Sequence, residues 1–146
     1  SSEIRENLKS GNIELANNNL KRKFSISGKV IKGDQRGRTI GVPTANIEYP
    51  LNTIRIPFGV YAIKSVIDEN TYFGIVNFGI RPTFNKNKPI VEAYLFDFDN
   101  DIYNKNIELL FYKQIRQEKK FNGIKELLNQ INLDIVEAKK ILKYGN

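Results

Sequence analysis

From Phe24 onward the apolar residues fall at every second position, and the alternation keeps returning in short runs as far as Phe111. Phe24, Ile26, Gly28 and Val30 open it, and runs at Thr44–Ile47, Val60–Ile67, Tyr72–Phe78, Val91–Phe98 and Ile107–Phe111 continue it. Clusters of Gly, Pro, Asn and Asp separate the runs. Period two sends successive side chains to opposite faces of a strand, so each run can bury one face. Many short strands between turn signals predict an all-β barrel or sandwich. No strand–helix–strand repeat occurs, which argues against a doubly wound nucleotide fold.

Helical spacing is confined to the two ends. Ser2 to Leu20 reads as two short helices, with Ser2 as cap of the first and Gly11 as its stop. The second carries Ile13, Ala16 and Leu20. After Asn122 an apolar stripe runs through Ile124, Leu127, Leu128 and Ile131, then Ile135, Ala138, Ile141 and Leu142. Asn132 or Asp134 is suited to cap a second segment there, and the stripe is expected to pack on the barrel.

Composition narrows the chemistry. The 146 residues give room for one domain with a real core. There is no histidine, which removes Ser-His-Asp triads, His-ligated zinc and imidazole acid–base catalysis. There is no cysteine either, which removes disulfides and thiolate metal sites and fits a cytoplasmic protein. No apolar run is long enough to span a bilayer. Catalysis here has to use carboxylates, Lys, Arg, Tyr, hydroxyls or a hard-oxygen metal site. The net charge of +7 suits either nucleic acid or a polyphosphate, and scattered lysines also serve solubility.

The densest chemical signal spans Gly33 to Ile47. Gly33, Gly37 and Gly41 fall four residues apart, with Arg36 and Arg38 between them, and Pro43-Thr44-Ala45-Asn46 closes the run. Glycines admit close approach of a ligand to backbone N–H groups, and flanking arginines suit phosphate. The Walker A spacing is absent. Pro43 biases the chain towards a strand starting near Thr44, on which Thr44 and Asn46 share a face about 6.6 Å apart. Two neutral oxygens so placed can hold Mg²⁺ and leave its charge for phosphate. They can equally satisfy backbone groups of a glycine-rich hairpin turn.

Glu92 heads a strand face shared with Tyr94, Phe96 and Phe98, while Val91, Ala93 and Leu95 take the other. A carboxylate there is a candidate general base for a hydroxyl, or an outward-facing glutamate at a strand end. Asp97, Asp99, Asp101 and Glu108 fall at four positions of a calcium loop, but Ile102 stands where its sharp turn needs glycine, so calcium is rejected. Arg116 can clasp a phosphate with two parallel hydrogen bonds or pair with Glu118 on the surface.

Gly37-Arg38-Thr39-Ile40-Gly41-Val42-Pro43-Thr44-Ala45-Asn46-Ile47 resembles the signature of riboflavin kinases. Gly59-Val60-Tyr61-Ala62, Asn77-Phe78-Gly79-Ile80-Arg81-Pro82-Thr83-Phe84, Val91-Glu92-Ala93-Tyr94, the Asp97–Lys105 hairpin and Ile115–Phe121 are similar to further motifs of that family, in order. The resemblance implies ATP-dependent phosphorylation of riboflavin to FMN, with ADP as second product. The implied fold is mainly β, a closed Greek-key-type antiparallel barrel with a C-terminal helical segment and short N-terminal helices. It also implies Glu92 as the catalytic base, and Thr44 and Asn46 as ligands of Mg²⁺ and nucleotide. Gly33, Arg36, Gly37, Arg38 and Gly41 are implied at the phosphates, and Arg116 and Phe121 beside the flavin. Tyr94 and Asn104 replace the family's usual His and Gly, and Asn still tolerates the left-handed turn.

Ser1-Ser2-Glu3-Ile4-Arg5 resembles the closing motif of the adenylyltransferase (FAD synthetase) module found in bifunctional relatives of that family. Residues 1–22 are thus expected to be a linker remnant of such a module, and residues 23–146 the kinase barrel. Neither membrane nor nucleic acid is expected as a partner. Two other readings compete: a basic barrel binding single-stranded nucleic acid through aromatics, and an inactive flavin-binding regulatory domain.

Overall fold

The computed structural model describes residues 1–31, 44–83, 86–98 and 100–145. The glycine–arginine stretch from 33 to 41 lies outside the described residues, as does Asp99.

Two helices lead in, α1 (Ser2–Ser10) and α2 (Ile13–Leu20). The cap of α1 is Ser1 rather than Ser2: its hydroxyl accepts from the Ile4 N–H at 3.3 Å, so the helix starts one residue earlier than expected. Gly11 stops it at φ 87°, a left-handed conformation that costs glycine little. Leu8, Ile13 and Ala16 are buried. Asn17, also buried, fastens α2 to the sheet. Its Nδ2 donates to the Phe111 carbonyl at 2.8 Å, and its Oδ1 accepts from the Phe24 N–H at 2.6 Å.

Six antiparallel strands follow: β1 (Phe24–Lys29), β2 (Ala45–Glu48), β3 (Gly59–Ile67), β4 (Asn70–Thr83), β5 (Lys86–Leu95) and β6 (Asn106–Gln117). Their order across the sheet is β1-β6-β3-β4-β5-β2. The sheet curls into a half-barrel, so that the edges β1 and β2 approach one another. An isolated bridge joins them, in which the Ile31 N–H donates to the Asn46 carbonyl at 2.8 Å. Gly28 faces the Ile47 side chain at this seam, and a Cβ there would collide with it. The barrel expected from sequence is therefore an antiparallel curl drawn together at one bridge among the described residues.

Alternation divides the sheet's two faces as the sequence predicts. Ile26, Ile47, Tyr61, Ile63, Val76, Phe78, Val91, Ala93, Leu109 and Phe111 fill the concave side. Val60, Ala62, Ile75 and Phe96 lie on the convex side under the C-terminal helix α3 (Ile124–Leu142), which contributes Ala138 and Leu142. Phe98 leaves the expected convex face. β5 ends at Leu95 and Asp97 is left-handed at φ 56°, so Phe98 turns back to pack on Tyr72 beside the concave core.

Helix α3 is continuous, with no second segment capped at Asn132 or Asp134. Asp134 is buried inside it at 2% exposure because it serves an arginine instead. Ile124, expected in the stripe, is 57% exposed at the helix start. Asn104 does adopt the left-handed turn, at φ 72°.

Candidate functional site

Strand register assembles the site on the convex face. Asn46 on β2 lies directly opposite Glu92 on β5, and Glu92 lies directly opposite Asn77 on β4. Asn77 is opposite Val60 on β3, and Val60 is opposite Arg116 on β6. Residues paired this way in antiparallel strands point to the same side, with neighbouring strands about 4.8 Å apart. Four strands thus carry one polar line, Asn46–Glu92–Asn77 and then Arg116, across a sheet whose other face is mostly apolar core. Thr44 sits half-buried two residues before Asn46, where β2 begins.

Glu92 is half-buried and engaged. Arg81, further along β4, donates from Nε to Glu92 Oε1 at 2.7 Å and from Nη1 to Glu118 Oε1 at 3.0 Å. Burial disfavours the Arg81 cation, but the hydrogen bonds and charge of Glu92, then of Glu118, outweigh it and raise its pKa. Gly79 lies under this bridge, since a Cβ on it would meet Glu118 and sit 2.6 Å from Arg81 Nη1. Asn77 adds an unusual feature: its Oδ1 is buried with no hydrogen-bond partner among the described residues. A buried acceptor left bare costs about 1–3 kcal/mol, a cost that a ligand donor would relieve.

Arg116 does not make the Glu118 pair read from sequence. Glu118 belongs to Arg81, and Arg116 is clasped by Asp134 of α3. Arg116 Nε lies 3.0 Å from both Asp134 oxygens, and Nη2 donates to Oδ2 at 2.9 Å. Gln130 Nε2 also donates to Asp134 at 3.0 Å. Nη1 of Arg116 donates to the Gln117 carbonyl at 3.1 Å, and the guanidinium stands 5.6 Å from the Phe121 ring centroid. Among the described residues, one N–H on each terminal nitrogen has no acceptor.

A hard divalent cation matches the donors at the start of β2. Thr44 and Asn46 offer a hydroxyl and an amide oxygen, both neutral and both hard, as Mg²⁺ prefers. Among the described residues no group of three or more acidic side chains forms a metal cage. In the acidic hairpin, Asp101 accepts from the Tyr103 N–H at 2.9 Å, a turn-making role.

The sequence profile of the flavokinase (riboflavin kinase) family matches residues 20–142. The chain belongs to the riboflavin kinase family. The bifunctional riboflavin kinase/FMN adenylyltransferase of Bacillus subtilis is 48% identical over 141 residues, covering 94% of this chain and 45% of that protein. The chain thus spans about half the length of the curated relatives it matches. Among solved structures, a Streptococcus pneumoniae protein described as a macrolide-efflux protein superposes with a TM-score of 0.85 at 32% identity. That match covers 92% of this chain and 44% of the other. The riboflavin kinase of Trypanosoma brucei superposes at a TM-score of 0.58 and 21% identity, over 83% of this chain and 80% of its own, a likeness of fold. Phosphoryl transfer from ATP is the chemistry of the riboflavin kinase family.

Arg81, Glu118, Asn77 and Asp134 are residues to which sequence reasoning gave no individual site role, although Asn77 and Arg81 fall in a segment that resembles a family loop beside the nucleotide site. Alternation carried a signal for two of them. Asn77, Gly79 and Arg81 fall at period two on β4, so they share the face on which the register sets Glu92.

Proposed function

We propose that the chain is a riboflavin kinase that moves the γ-phosphate of ATP to the terminal ribityl hydroxyl of riboflavin, giving FMN and ADP. The observation supporting this is the register that lines up Asn46 and Glu92, residues far apart in sequence, on adjacent strands. A metal-binding amide and a carboxylate base have to work within a few ångströms of one phosphoryl group, and directly opposed strand positions meet that need.

Glu92 accepts the proton of the ribityl hydroxyl as its oxygen attacks the γ-phosphorus. The bond to the β–γ bridging oxygen breaks in line, and ADP leaves with that electron pair. Thr44 and Asn46 would hold Mg²⁺, which would supply positive charge to offset that of the phosphates. Gly33, Arg36, Gly37, Arg38 and Gly41 supply backbone N–H groups and guanidinium charge around the phosphates. Arg116 offers its remaining N–H groups to the new FMN phosphate, with Phe121 beside the flavin. Residues 23–146 form the kinase. Residues 1–22 form a helical linker, the remnant of an adenylyltransferase module, and the kinase works in the cytoplasm, where ATP is supplied.

Incubation with ATP, Mg²⁺ and riboflavin, followed by chromatography, should yield FMN. Glu92→Gln should abolish turnover and leave ATP–Mg²⁺ binding nearly intact. Equal loss of both, or flavin binding without any FMN from the wild type, would refute the assignment.

A further inference from the structure

The base assigned above is held in place by an arginine. Its Oε1 already accepts a short, charged hydrogen bond from Arg81. A carboxylate so engaged is tied in orientation, with Oε1 committed to the guanidinium and Oε2 left to take an alcohol proton. Release requires a partner that Arg81 prefers to Glu92, and a phosphate group qualifies through its charge and its match to the guanidinium fork.

Geometry allows such an exchange. Arg81 is anchored twice elsewhere, through Nη1 to Glu118 Oε1 and to its neighbouring Ile80 carbonyl, both at 3.0 Å. Letting go of Glu92 therefore does not cast the side chain loose, and the guanidinium can turn about the Glu118 contact. Side-chain exposures of 22% for Arg81 and 18% for Glu92 leave the pair reachable from outside, and Gly79 keeps the strand beneath it clear. The pair shares its face of the sheet with Asn46, on the strand next to Glu92.

We propose that Arg81 is a nucleotide-responsive positioning residue: it ties Glu92 through Oε1 and transfers to the terminal phosphate when nucleotide binds, which lets the carboxylate turn to the hydroxyl whose proton it accepts. The proposal rests on the reading of Glu92 as base. It makes the site inert towards riboflavin alone and active only once the phosphoryl donor is seated.

The test follows the Arg81 Nε–H by nitrogen-15 NMR, assigned by its loss in Arg81→Lys. In the nucleotide-free protein this signal should be protected from exchange, and Glu92→Gln should displace it. ATP with Mg²⁺, riboflavin withheld, should move the wild-type signal to a new position, whereas adenosine should leave it in place. Arg81→Lys, which keeps the charge but not the fork, should lower kcat/KM for ATP tenfold or more with its Tm retained. A signal that stays put at saturating ATP, or an unchanged kcat/KM in Arg81→Lys, overturns the exchange and leaves the base assignment standing. Should Glu92→Gln still make FMN, the base assignment fails first and the exchange falls with it.

Discussion

Replacing Asp134 by alanine should destabilise the protein strongly. Asp134 is 2% exposed and accepts three hydrogen bonds from Arg116 and one from Gln130. Removing one partner of a buried ion pair costs about 3–5 kcal/mol, because the survivor stays desolvated without compensation. Arg116 keeps a side-chain exposure of 16%, so water can reach part of the released guanidinium. That puts the cost at the lower end, about 3 kcal/mol. For a chain of this size the equivalent fall in Tm is roughly 6–12 °C. Urea denaturation followed by circular dichroism measures it directly, provided the m-value is unchanged. Asp134→Leu combined with Arg116→Met removes both charges and should recover most of the loss, since apolar replacements of buried pairs are close to neutral. If Asp134→Ala loses less than about 1 kcal/mol, the clasp is a surface pair in energetic terms and the argument from burial is wrong.

Three further outcomes follow from the same geometry. Thr44→Ala should raise the Mg²⁺ concentration needed for half-maximal FMN formation, and an unchanged requirement would remove Thr44 from the metal site. Gly79→Ala should displace the Arg81–Glu118 bridge, lowering kcat/KM for ATP while costing under about 1 kcal/mol of stability, since Glu118 is a mobile surface side chain; a large stability loss with normal kinetics would contradict it. Burial pushes the Tyr49 hydroxyl up to about 12, and Tyr61 is raised by burial too. Both favour the neutral phenol in the folded state, so their contribution is intact below pH 10, the ordinary tyrosine value, and is lost as pH climbs towards 12. In an ultraviolet titration, two of the seven tyrosines should ionise only together with unfolding; early titration of all seven would refute it.

Much of the architecture could be read from alternation because burial on a sheet is a matter of parity. Val91, Ala93 and Leu95 had to share a face opposite Glu92 and Tyr94, and they do. Parity says nothing about where a strand ends. Phe98 was misplaced because the backbone at Asp97 turns left-handed, an event set by local geometry and not by the hydrophobic pattern. The continuous α3 was missed for a related reason. Asp134 is a good cap by type, but its long-range bond to Arg116 outweighed that local preference. Motif spacing and resemblance singled out Thr44, Asn46 and Glu92 as candidates. They could not expose Arg81 or Glu118, since an ion pair between β4 and the segment after β6 depends on strand order, which one sequence does not state.

Strand order also explains why the chemistry sits where it does. The concave side is filled by aromatic and branched side chains and has no place for a charged group without an expensive pairing. On the convex side, α3 covers only part of the sheet, over β3, β4 and β6, and β2 and β5 run out from under it. The polar line Asn46–Glu92–Asn77 crosses that transition, from the uncovered edge towards the helix. Asn77, whose Oδ1 has no hydrogen-bond partner among the described residues, lies at the inner end. The buried acceptor is tolerated because the rest of the sheet fixes its position. The same fixed register that leaves Asn77 unsatisfied holds Glu92 one strand spacing from Asn46.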